Sequence, residues 1–192
     1  EAFNFVMMTL VSFSDPGLIA LPVHRLVRGI SARAMKTLEK RLHDFFEVET
    51  VALEMRGVPQ VRGATTAVLG LEEGRLVVLR LRQSASLDDV MPQERSQVYK
   101  KLDVSILQHL IIDSLASAEK GPNVAYTPDA DAARKFVESG QFQLAFLLNP
   151  VPVTIIKTIA EANDRMPGKS TYFHPKLPTG LVINRLDGRL LG

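Results

Sequence analysis

Residues 66–82 constrain the fold more than any other stretch. Ala67-Val68-Leu69-Gly70-Leu71 and Leu76-Val77-Val78-Leu79-Arg80-Leu81-Arg82 are apolar runs joined by Glu72-Glu73-Gly74-Arg75. A short link containing glycine returns the second run antiparallel to the first, as a β-hairpin. Arg80 and Arg82 share one face of that second run and alternate with Leu79 and Leu81. A purely helical chain is therefore excluded.

Helical periodicity appears on both sides of the hairpin. Ser31 is a natural N-cap for a helix to about Phe45, with Met35, Leu38, Leu42 and Phe45 as its inner stripe. Asp103 can cap another to about Ala118, with Leu107, Leu110, Ile111 and Leu115 inward and His109 in solvent. Thr127-Pro128 reads as the cap and first position of a third helix, closed by Gly140. Val153, Ile156 and Ile159 mark a fourth. Further strands are expected over Ala2–Phe13, Leu18–Leu21, Glu47–Leu53, Val124–Tyr126, Gln143–Leu148 and Leu181–Ile183. The first is apolar enough to be covered on both faces. Ser14-Asp15-Pro16-Gly17 is a turn that pairs it with the second. Met35, Leu38, Leu42, Leu107, Ile111, Leu115, Phe146 and Ile156 form the expected core. Mixed helices and strands with a hairpin predict an α+β fold, a mixed or antiparallel sheet with packed helices.

Composition narrows the function classes. The 192 residues suffice for one domain with a sizeable core, so residues 1–192 read as a single α+β domain. The net charge of +2 is too small to argue for nucleic acid, which needs a basic patch or stripe. No cysteine is present, so thiolate metal sites and disulfides are excluded, in keeping with a cytoplasmic protein. No apolar run reaches the ~18 residues of a membrane span. The four histidines lack metal-ligand spacing, the carboxylates lack calcium-loop spacing, and no Gly-x-Ser-x-Gly elbow occurs. The chain opens at Glu1 and enters an apolar run at once, which reads as part of a longer protein.

Chemistry-bearing residues concentrate in two places. Residues 166–180 hold Lys169, Ser170, Thr171, Tyr172, His174 and Lys176, stiffened by Pro167, Pro175 and Pro178. Gly168-Lys169-Ser170 resembles the end of a phosphate-binding loop but lacks its earlier glycine, since position 163 is Asn. Main-chain N–H groups beside Lys, Ser and Thr can still form an anion nest; the plainer alternative is a rigid turn with solvated lysines. His24-Arg25 follows an apolar strand. Arg offers a forked donor for phosphate or carboxylate, and His can donate or shuttle a proton. The expected ligand-binding set is His24, Arg25, Lys169, Ser170, Thr171 and Lys176, sharing one concave surface on one side of the sheet.

The run Met166-Pro167-x-Lys169-Ser170-Thr171-Tyr172-Phe173-x-Pro175-Lys176-Leu177-x-Thr179-Gly180-Leu181 resembles the closing signature of domain-of-unknown-function family 1015. Asp15-Pro16-Gly17-Leu18, His24-Arg25-Leu26, Leu102-Asp103-Val104, Tyr126 and Phe146-Leu147-Leu148-Asn149-Pro150 fall in the same order. His174 departs from the tyrosine more usual there. The family's members are longer, and their earlier half is likened to ParB and sulfiredoxin-like proteins, a group that includes free-serine kinases. The resemblance implies the C-terminal portion of a nucleotide-using small-molecule kinase or nucleotide hydrolase. Its cofactor in the full-length protein would be a nucleotide with Mg, and this fragment alone would be inactive. Other readings are a structural or oligomerisation domain, or part of a ParB-like DNA-associated factor. DNA is not expected as a partner of this portion, nor is a membrane.

Overall fold

The structure is a computed structural model that describes residues 8–53, 57–58, 63–116, 121–176, 178, 180 and 183. The chain divides into two compact units, one of residues 20–172 and one of residues 1–19 with 173–192.

The larger unit is built on a six-stranded sheet. Its strands are β2 (His24–Arg28), β3 (Phe46–Ala52), β4 (Thr66–Leu69), β5 (Arg75–Leu81), β6 (Asn123–Thr127) and β7 (Leu144–Leu147). They lie in the order β3-β5-β4-β7-β2-β6. Every pairing is antiparallel, so the fold is α+β with an antiparallel sheet. The hairpin is β4–β5, with Leu69 opposite Leu76 and Thr66 opposite Leu79. Its turn begins at Gly70, where φ is +93° and an added Cβ would sit 2.1 Å from the Gln143 carbonyl oxygen. Only glycine allows that approach.

Both faces of the sheet are covered. Successive side chains on a strand point to opposite faces, and the two cores divide accordingly. Val27, Val68, Val77, Leu79 and Phe146 face a first core, and Leu26, Ala67, Leu76, Val78 and Ala145 face a second. Helix α1 (Ala32–Phe45) packs Leu38 and Leu42 into the first core, capped by Ser31 as the sequence implies. Short helix α2 (Gln97–Lys100) leads into α3 (Asp103–Ile106), a π-helical segment (Leu107–Ile112) and α4 (Asp113–Ala116). Helix α5 (Ala130–Glu138) covers the second core with Ala133, and α6 (Val153–Glu161) sends Ile159 into the first. Leu38, Leu42, Leu107, Ile111, Leu115 and Phe146 are buried as expected, while Met35 and Ile156 are half-buried at the margin.

Several expectations need correction. The π-helical segment widens the helix turn, so His109 is half-buried instead of lying in solvent. Asp129, not Thr127, caps α5: its Oδ1 accepts from Asp131 N at 2.9 Å and Ala132 N at 3.1 Å. Leu102, not Asp103, precedes α3, and no side chain caps that end. Residues 8–13 form no strand, and Met8, Leu10, Val11 and Phe13 are exposed. The Asp15 turn does form, with Gly17 N donating to Asp15 Oδ1 at 2.8 Å. The following run becomes β1 (Ile19–Leu21), which pairs with β8 (Tyr172–His174). An apolar run marks a possible strand without naming its partner. Residues 2–7 of the first expected strand, and 181–182 of the last, lie outside the described residues.

Candidate functional site

Strand β2 begins at His24, and alternation sends its first two side chains to opposite faces. Arg25 enters the first core and is 0% exposed. Its Nη1 donates to the carbonyl oxygens of Val23 (2.5 Å) and Lys169 (2.8 Å), and its Nη2 to that of Gly168 (3.2 Å). The guanidinium lies over the Tyr126 ring, 5.3 Å from its centroid. Nε has no partner, and no carboxylate pairs with the group among the described residues. Burial lowers the Arg25 pKa, against the opposing influence of Tyr126. The forked donor is therefore engaged by main-chain carbonyls, and it fastens residues 168–169 to the end of the sheet.

That fastening shapes the loop. Lys169 adopts a left-handed backbone with φ +57° and leaves its side chain exposed. Ser170 is buried, and its Oγ donates to the Pro167 carbonyl. Thr171 is half-buried beside it. Lys176 is exposed and belongs to the smaller unit. Arg25 thus meets Lys169 through the lysine's main chain, not as two side chains converging on one ligand surface as expected.

His24 turns to the second core and is 4% exposed. It lines a pocket of about 260 Å³ with Thr66, Ala130, Asn149 and three prolines, Pro22, Pro128 and Pro150, among others. Leu148 N donates to His24 Nδ1 at 3.2 Å, so the neutral ring carries its proton on Nε2. Burial pushes the His24 pKa down to about 4, helped by Arg25 and opposed by Asp129. The ring is a neutral donor near pH 7, not a cation. The expected single surface on one side of the sheet is thus divided, with Arg25 and the Lys169 loop on one face and His24 on the other.

The same pocket end is tied at three points. Thr66 Oγ1 donates to the Leu147 carbonyl at 2.9 Å, which belongs to the peptide group whose N–H meets His24. Asn149 Nδ2 donates to the Ala64 carbonyl at 2.8 Å. Burial pushes the Asp103 pKa up to about 6, opposed by the Asn149 side chain. Sequence reading took Asp103 for a helix cap and gave Asn149 and Thr66 no role. A polar residue next to a strand end was the available signal, and it is too common to select these three.

A second polar chain runs along the π-helical segment. Tyr99 Oη and His109 Nε2 are 2.9 Å apart, and His109 Nδ1 and Asp113 Oδ2 are also 2.9 Å apart. No group of three or more His, Asp or Glu side chains is placed to hold a metal ion among the described residues. None of the described helices is long and apolar enough to cross a membrane.

This geometry can be set beside known proteins. Residues 1–105 match the family described as a protein of unknown function (DUF1015), and the chain belongs to that family. The matched residues include Asp15-Pro16-Gly17-Leu18 and His24-Arg25-Leu26. None of the curated proteins matches. Among solved structures, free serine kinase in complex with AMP is similar at 12% identity and a TM-score of 0.51, covering 86% of this chain and 57% of that one. A conserved hypothetical protein from Pyrococcus furiosus is similar at 11% identity and a TM-score of 0.51, covering 86% and 60%. The likeness is one of fold, and the chain spans less than two thirds of the length of each.

Proposed function

We propose that this chain contributes an anion-binding surface, for phosphate or carboxylate, to a nucleotide-using small-molecule phosphotransferase. The observation that carries the reading is the Arg25-anchored loop. A buried guanidinium fixes the main chain of residues 168–169, so the exposed Lys169 ammonium is displayed from a rigid base, with Thr171 beside it. Such preorganisation lowers the entropy of ordering a cation around a ligand. Phosphoryl transfer depends mainly on positioning and charge neutralisation, which lysine supplies. The fold shared with free serine kinase, whose structure holds AMP, supports the nucleotide part. The described residues contain no carboxylate cluster that fits a magnesium site, so a metal arriving with a nucleotide would take its ligands from the phosphates or from residues outside those described.

The test is calorimetric titration of the full-length protein, and of this chain alongside it, with inorganic phosphate, ADP and ATP. Lys169→Ala is expected to weaken binding by ~1.5–3 kcal/mol, the worth of one charge-assisted hydrogen bond, with folding unchanged. This chain alone is expected to show no turnover with ATP or ADP. Full-length protein that binds none of the three, or binds them equally well as Lys169→Ala, overturns the reading. A second reading, a structural or oligomerisation domain, draws on the exposed side chains of Met8, Leu10, Val11 and Phe13. Sedimentation of wild type against Leu10→Glu distinguishes it.

A further inference from the structure

The pocket on the second face differs in kind from the Lys169 loop. Among the described residues no charged side chain lines it. Its walls are mainly aliphatic, with Pro22, Pro128 and Pro150 supplying stiff apolar surfaces. Few, fixed polar groups in an apolar hollow are the usual make-up of a small-molecule site. His24 Nε2–H is one such group: the residue is 4% exposed, and its Nδ1 accepts from Leu148 N, which leaves Nε2 to carry the ring's proton. Thr66 and Asn149 supply acceptors, because the hydroxyl and the amide nitrogen already donate to main-chain carbonyls. The His24 tautomer is set by Leu148 N, so the ring meets a ligand as donor and not as base.

Size and polarity then select the occupant. A volume of about 260 Å³ holds roughly nine water-sized groups at ~30 Å³ each. That is room enough for one heterocyclic ring system. Among the described residues a phosphate or carboxylate inside would meet a neutral donor and no cation, a costly burial for a charge. We propose that this pocket receives the uncharged ring of a nucleoside-like ligand, which accepts from His24 Nε2–H and donates to Asn149 Oδ1 or Thr66 Oγ1, with its charged groups left outside. The ligand class rests on the nucleotide-using reading above; the pocket and its donor pattern do not.

The test uses adenosine, which carries the ring without a phosphate. The ring signals of His24, assigned in the isotope-labelled chain, are expected to shift saturably with adenosine and to stay in place with inorganic phosphate. His24→Ala is expected to weaken adenosine binding by about fivefold to tenfold, the worth of one hydrogen bond. Ala130→Leu fills the pocket from a half-buried helix position and spares His24, so it abolishes the shift even if His24→Ala folds poorly. No saturable shift at adenosine concentrations up to its solubility overturns the proposal. Binding that survives Ala130→Leu overturns it equally. Lys169→Ala is expected to leave adenosine binding intact while weakening phosphate, so failure of this site and failure of the anion surface give different results.

Discussion

Replacing Arg25 with Met tests the central structural argument. The two side chains have similar length, so the change removes charge and donors while keeping most of the packing volume. Three hydrogen bonds from a charged donor are lost, to Val23 O, Lys169 O and Gly168 O. Such bonds are worth ~1.5–3 kcal/mol each. Against that loss stands the desolvation of a fully buried cation with no carboxylate beside it among the described residues, a penalty of several kcal/mol that the substitution relieves. The Gly168 and Lys169 carbonyls belong to exposed residues and can turn to water, whereas Val23 is buried. The net expectation is a loss of ~2–4 kcal/mol. Urea unfolding at neutral pH measures it through the midpoint, with the m-value checking that the denatured state is unchanged. Amide exchange over residues 168–171 should rise beyond the global change, because the loop has lost its fastening. Arg25→Lys is expected to fall between the two, since one ammonium cannot reproduce a planar fork. A Met variant as stable as wild type, with unchanged loop protection, would refute the claim that Arg25 holds the loop.

Two further tests address the core and the titrating pair. Leu107→Ala empties a fully buried position in the first core and should cost ~2–5 kcal/mol in urea unfolding. For pH, the folded-state pKa of Asp103 is raised from 3.8 to about 6, so its contribution is full below pH 3.8 and is lost as pH rises through 6. That of His24 is lowered from 6.5 to about 4, so its contribution is full above pH 6.5 and is lost as pH falls through 4. The two slopes oppose each other in wild type. Asp103→Asn removes one, and stability should then climb between pH 4 and 6.5 by up to about 3 kcal/mol. Parallel pH profiles for variant and wild type would show that Asp103 does not titrate as described.

The parts of the fold that depend on local chemistry were legible in the sequence. The hairpin, the Ser31 cap, the Gly140 terminus and the Asp15 turn follow from residue type and spacing alone. The apolar stripe of residues 107–115 was legible too, but the phase of His109 was not. A π-helical segment changes the angular step per residue, and no residue type announces it. Partner choice was also hidden. Residues 18–21 look ready to pair with the apolar run before them, yet β1 pairs with β8, about 150 positions later in the sequence.

The candidate site was half legible for a related reason. His24-Arg25 and Lys169-Ser170-Thr171 declare their chemistry, but sequence cannot say whether a cation faces solvent or carbonyls. Adjacent residues on a strand cannot share a face, so His24 and Arg25 were bound to separate once β2 formed. They remain consecutive, however, with Cα atoms ~3.8 Å apart at the first turn of the chain into the sheet. The loop tied to Arg25 and the pocket lined by His24 therefore belong to the same end of β2. The two faces carry different chemistry, a neutral donor in an apolar pocket on one and an exposed ammonium on the other. Main-chain ties at both places, Arg25 to residues 168–169 and His24 to Leu148, fix each side chain's position.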